Sequence, residues 1–177
     1  MVRVPKSVEV KLNLRVLEIS GTWEPNDTER RAAWELYVEL VTRVSVVPLR
    51  TDEGLLREAL SSLYSLFTTT REVLRKYGPE VAEPKNDGQY NFGFLAVAML
   101  NYGLRPLLAS WHPALEDWET CRPADRSRRD HEEVWPQAGN ARAALRDARG
   151  VLTAYADLLA TACGVPNLLG AIPAAGE

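Results

Sequence analysis

Residues 92–118 read FGFLAVAMLNYGLRPLLASWHPALEDW, the most apolar part of the chain. A helix drawn through residues 92–104 has apolar side chains on nearly every side, and a helix that is apolar all round is buried on most of its faces. Asn101, Gly103 and Arg105 interrupt the run, which falls short of the roughly 20 unbroken apolar residues a membrane span needs. The stretch is therefore expected to be the central rod of a helical protein, with the other helices packed around it. Pro106 lacks a backbone donor and should kink or break that rod. Trp111-His112-Pro113 should then turn a corner, because proline suits the first position of a new helix. The expected helical region is 90–119, broken near 106–113.

Three further helices follow from periodicity and end signals. Residues 27–46 start at a capping-box pattern, Asn26 with Glu29, with Asp27 or Thr28 as alternative caps. Their expected inner stripe is Trp34, Val38 and Val41, flanked by Tyr37, Leu40 and Val44, and Pro48 closes them. Residues 52–77 carry Leu56, Leu60, Leu63, Phe67, Leu74 and Tyr77 at heptad spacing, capped by Thr51 or Asp52 and stopped at Gly78-Pro79. Residues 138–163 carry Ala141, Leu145, Ala148, Leu152, Tyr155, Leu159 and Ala162, and end at Gly164 and Pro166; the tail 164–177 should fray.

The strand region is 8–23. Val8, Val10, Leu12 and Leu14 alternate with Glu9, Lys11, Asn13 and Arg15, the period of a half-buried strand. Leu17 and Ile19 continue on the opposite parity, which a bulge near Arg15 or Val16 would explain. A lone strand leaves backbone groups unpaired. It is expected to pair with its own later half or with a second chain. The fold class is mainly α: an antiparallel four-helix bundle in one domain of 177 residues, with an N-terminal strand or strand pair and a kinked central helix.

Composition narrows the function. Apolar residues make 46% of the chain and charged residues 25%, ordinary for a globular protein. The net charge of -3 argues against a general nucleic-acid binder. Two cysteines, Cys121 and Cys163, make no disulfide framework, and the N-terminus does not read as a secretory signal, so a cytoplasmic protein with reduced thiols is expected. Frequent arginine and alanine with little lysine hint at a GC-rich bacterial source. Nucleotide-binding glycine motifs, a serine-nucleophile elbow, and HExxH, CxxC or paired Glu-x-x-His metal patterns do not occur. No cofactor and no metal are expected.

Two candidate binding places remain. Trp111, His112 and Trp118, with Glu116 and Glu119 nearby, frame a histidine with aromatic and acidic groups. That composition suits a ligand pocket or a partner-binding patch. Asn101 and Arg105 lie one turn apart on an apolar helix; a buried arginine there would need an acidic partner such as Glu35, Glu39, Glu72 or Asp157.

A third candidate is Arg126-x4-His131, ahead of the last helix. This spacing resembles the signature of the HEPN ribonucleases, with Ser127 where that family often has a small polar residue after its arginine. The likeness covers those two residues and the helix count. It implies a metal-independent endoribonuclease in which His131 is the general base or acid and Arg126 holds the scissile phosphate at a dimer interface.

The expected role is a non-enzymatic protein-interaction or accessory module of a bacterial multi-component system, in defence or signalling. It would self-associate or dock to a protein partner through the N-terminal strand and the Trp111–Trp118 corner. The alternatives are the ribonuclease and a small-ligand sensor built near Asn101, Arg105 and Trp111.

Overall fold

The alternation near the N-terminus builds a hairpin. β1 (Val8–Asn13) buries Val8, Val10 and Leu12 and exposes Glu9, Lys11 and Asn13. It pairs antiparallel with β2 (Glu18–Trp23), Val8 facing Trp23 and Leu12 facing Ile19. A computed structural model describes residues 4–43 and 54–171 of the chain, excluding the side chains of residues 170 and 171. The strand therefore has its mate within the chain. The change of phase is not a bulge but a two-residue turn. The N–H of Leu14 donates to the carbonyl of Leu17 at 2.8 Å, which leaves Arg15 and Val16 as the loop. Paired residues across this turn have opposite parity, so the inward set passes from even to odd numbers. Arg15 has φ 68, the conformation that the first central position of such a turn demands and that usually selects glycine.

A third strand, β3 (Gln89–Tyr90), joins β2 in parallel and completes a mixed sheet of order β1-β2-β3. Gly21 permits the approach: a Cβ there would stand 2.5 Å from the Gly88 carbonyl oxygen and 2.7 Å from the Tyr90 ring. Two residues give no periodicity to read, and sequence analysis assigns residues 80–89 to a polar loop.

α1 (Asp27–Val41) starts at the expected capping box. Its Glu29 does more than close the box. The carboxylate is fully buried and accepts from Asn26 N–H at 2.8 Å, Phe92 N–H at 2.9 Å, the Trp23 indole at 3.1 Å and Lys85 Nζ at 2.9 Å. One side chain thus ties the sheet, two helix starts and the residue 85 loop together. A buried carboxylate is tolerable only with such pairing. The inner face of α1 is Ala32, Ala33, Leu36, Tyr37 and Leu40. Trp34 and Val38, expected inside, are exposed at 43% and 37%, and Val41 is marginal. Val44 and Pro48 lie outside the described residues.

α2 (Leu56–Tyr77) buries Leu56, Leu60, Leu63, Leu66, Thr70 and Val73, with Phe67, Leu74 and Tyr77 at the margin of the core. Its expected caps, Thr51 and Asp52, lie outside the described residues. The Leu56 N–H at its start is bound instead by the distant Glu132 carboxylate at 2.8 Å.

Residues 92–120 form one continuous helical run: α3 (Phe92–Ala98), a π-helical segment Met99–Leu104, and α4 (Arg105–Thr120). The expected break near 106–113 is absent. Arg105 N–H reaches back five residues to Leu100, and this widened turn accommodates Pro106, which cannot donate to Tyr102. Pro113 lies inside α4, and the residue whose carbonyl loses its donor, Ala109, is exposed. By length and composition the run Phe92–Thr120 could cross a membrane, contrary to the expectation from its first half, but its apolar window is mostly buried within the protein. Nor is it wrapped on all sides: Phe94, Val97 and Tyr102 are exposed.

α6 (Ala138–Cys163) has the expected bounds, and Ala141, Ala148, Leu152, Tyr155, Leu159 and Ala162 are buried as its stripe predicts, with Leu145 partly so. It packs on β1, α1, α2, α4 and the π segment, so the core is shared between α6 and residues 92–120. A short helix, α5 (Arg128–Glu133), lies in the stretch that reads as irregular; Ser127 caps it by accepting from Asp130 N–H at 3.1 Å.

Candidate functional site

The Trp111–Trp118 corner is a patch along the unbroken helix α4 rather than a turn between helices, and its charged groups are engaged with their neighbours. Arg57 of α2 grips Glu119 with Nε at 3.0 Å and Nη2 at 2.6 Å, and its Nη1 lies 3.1 Å from His112 Nδ1. Arginine can only donate, so Nδ1 of His112 accepts and the neutral ring carries its proton on Nε2. Burial, and then the Arg57 charge, hold His112 below its ordinary pKa. Tyr64 meets the ring edge-on at 5.6 Å, and Trp111 meets Trp135 edge-on at 6.1 Å.

Trp118 stacks flat on His131, 4.6 Å between centroids. The two exchange backbone bonds: Trp118 Nε1 donates to the His131 carbonyl at 2.9 Å, and His131 Nε2 donates to the Trp118 carbonyl at 2.8 Å. Next to it, Glu132 accepts from Leu56 N–H and from Arg142 Nη2 at 2.6 Å; burial pushes its carboxyl above the usual range. The gap lined by Arg57, Trp118, Glu119, His131 and Glu132 is about 10 Å³, at most the room for one water. Chemically, the corner is a clamp that fastens α5 and α4 to the start of α2.

The other sequence candidates lie in different surroundings. Arg126 is exposed; its N–H donates to the Pro123 carbonyl at 3.1 Å and its own carbonyl accepts from the Arg122 guanidinium. Among the described residues nothing joins the Arg126 guanidinium to His131, whose ring is buried under Trp118. Arg105 is exposed rather than buried, and needs no acidic partner: it donates to Asn101 Oδ1 at 3.1 and 2.9 Å and lies over the Phe67 ring at 5.2 Å. Cys121 and Cys163 are both free, and burial pushes the Cys163 thiol up to about 11. The described residues assemble no group of three or more metal-ligating side chains.

The N-terminal strand contrasts with the corner. The bonded pair Leu14 and Leu17 sets the alternation of the antiparallel ladder. Val8, Val10 and Leu12 therefore turn their N–H and C=O groups toward β2, and Glu9, Lys11 and Asn13 turn theirs away. On the far side of β2 the same alternation is visible, where Thr22, opposite Glu9, donates to Gly88 at 3.0 Å. β1 ends the sheet, so the outward groups of Glu9 and Lys11 have no strand to bind among the described residues. Beside this edge runs a groove of about 330 Å³ between β1 and α6, lined by Ser7, Val8, Glu9, Lys11, Ala154, Asp157, Leu158 and Thr161. Glu9 and Lys11 form a surface ion pair of 2.7 Å above it.

Sequence reading missed Arg57, Glu132 and Arg142. Their partners are far away in the chain, so no local spacing marks them. Comparison of the chain with protein families, with curated proteins and with solved structures found no match.

Proposed function

We propose that this chain is a non-enzymatic interaction module, an accessory component of a cytoplasmic multi-component system, that binds another protein chain through the open edge of β1. Its helices would serve as an antiparallel bundle that holds the hairpin rigid. The observation that carries the reading is the outward ladder of Glu9 and Lys11 at the end of the sheet, which no strand among the described residues pairs. Exposed edges recruit strands, and here the groove along α6 leaves space for one. The tryptophan corner supports the reading indirectly, because its charged groups are already paired and it offers no reaction chamber.

The test uses the substitution Lys11→Pro. The Lys11 N–H points away from β2, so proline removes no bond of the hairpin but blocks an added strand. Sedimentation of the full chain, together with affinity capture from its host, should show association by the wild type and its loss in Lys11→Pro at unchanged melting temperature. Association that survives the proline would overturn the reading.

A further inference from the structure

We infer that the strand taken up by the β1 edge is β1 of a second copy of this chain, in antiparallel register about a two-fold axis at Val10. This rests on the reading of β1 as a docking edge and names the partner.

Three properties of the strand select that register. Only residues 9, 11 and 13 present outward backbone groups, so bonded pairs across a β1–β1 junction must be drawn from odd positions. A two-fold axis at Glu9 would set glutamate against glutamate, and one at Lys11 would set lysine against lysine; like charges directly opposite are destabilising. An axis at Val10 sets Glu9 against Lys11 of the second copy, and Lys11 against its Glu9. Each such pair exchanges two backbone bonds. The same register places Val8 opposite Leu12 of the second copy and Val10 opposite Val10, so the buried faces of both hairpins continue into one another. The strand is thus self-complementary in charge, in apolar face and in bond direction at once.

The neighbouring helix fits the arrangement. Ala154, Asp157 and Thr161 are the exposed α6 residues beside the edge, and alanine and threonine are small enough to let a strand lie close. In a single copy Glu9 and Lys11 neutralise each other along the strand, at 69% and 71% side-chain exposure. In the pair each gains a cross-strand partner, and the isolated ion pair becomes a cluster of alternating charge.

The experiment is a charge exchange on the full chain, read by sedimentation equilibrium. Glu9→Lys places lysine opposite lysine, and Lys11→Glu places glutamate opposite glutamate. Each alone should weaken self-association about tenfold or more while the melting temperature of the single chain holds. An equimolar mixture of the two should associate again, because the lysine introduced at position 9 of one variant then faces the glutamate introduced at position 11 of the other. The double variant should recover in the same way. Singles that associate like the wild type, or a mixture that stays monomeric, would overturn the inference. A wild type that is monomeric at all concentrations would overturn it too. In that case the fate of the broader reading is decided separately: a different protein captured by the wild type and lost with Lys11→Pro would leave the docking edge standing, and capture that ignores Lys11→Pro would remove it.

Discussion

The corner around Trp118 and the edge of β1 both look, from their residues, like places where another molecule could bind. They differ in what their polar groups already touch. At the corner, Arg57, His112, Glu119, Glu132 and Arg142 bind one another or a helix start, Trp118 stacks on His131 and Trp111 meets Trp135 edge-on, which leaves His112 Nε2 and His131 Nδ1 as the buried ring nitrogens without a partner. At the edge, the backbone groups of Glu9 and Lys11 point away from β2 beside a groove and meet no strand among the described residues. Residue type alone does not separate a site from a clamp; whether the charged side chains and the backbone already have partners does.

Changes at the corner should therefore damage stability, and changes at the edge should damage association. The largest loss is expected for Trp135→Ala, which empties the space against Trp111 in a buried side chain and should cost about 3–5 kcal/mol in chemical denaturation. A loss near zero would mean that the corner is not packed as a clamp. Glu132→Ala should cost about 1–3 kcal/mol, because it strands the buried Leu56 N–H and the Arg142 guanidinium. Glu132→Gln should cost less, since it keeps an acceptor and removes a charge that burial disfavours.

Acid sharpens the contrast within the corner. His112 is held below the ordinary value of 6.5 in the folded chain, so near and below that value the unfolded chain binds more protons, and stability falls as pH drops. Glu132 is shifted up and acts in the opposite sense, its contribution declining as pH rises above the usual carboxylate value. His112→Asn keeps an acceptor for Arg57 and cannot titrate. Between about pH 8 and about pH 5 its melting temperature should fall less than that of the wild type. Parallel curves would contradict the assigned protonation of His112. The smallest change is expected at the hairpin turn. Arg15→Gly should raise stability by about 0.5–1 kcal/mol, the relief of a positive φ less the added freedom of the unfolded chain, and should leave association untouched.

How much of this is legible in the sequence follows from the range of the interactions. α6 is readable to the residue because its alanine and leucine stripe is periodic and glycine ends it. The capping box of α1 is readable for the same local reason. Its inner face is not: Trp34 and Val38 outweigh Ala32 and Ala33 in any count of apolar bulk, yet it is the small alanines that are buried. The hairpin is half legible. The alternation shows on both sides, but the turn holds Arg15 where glycine is usual, so a reversal reads like a bulge. The clamp contacts are invisible, since Arg57 meets Glu119 across 62 positions, Glu29 meets Phe92 across 63, and Glu132 meets Leu56 across 76. Arg126 and His131 stand at a suggestive spacing, and the fold buries His131 and leaves Arg126 exposed.

The central claim is that the outward ladder of β1 is where this protein meets another chain. Residue-resolved amide exchange, followed from dilute to concentrated protein and with any captured partner, tests it directly. In the dilute chain Val10 and Leu12 should exchange slowly and Glu9 and Lys11 fast, and on association Glu9 and Lys11 should become protected as well. Association that leaves the Glu9 and Lys11 amides exchanging fast would contradict the account.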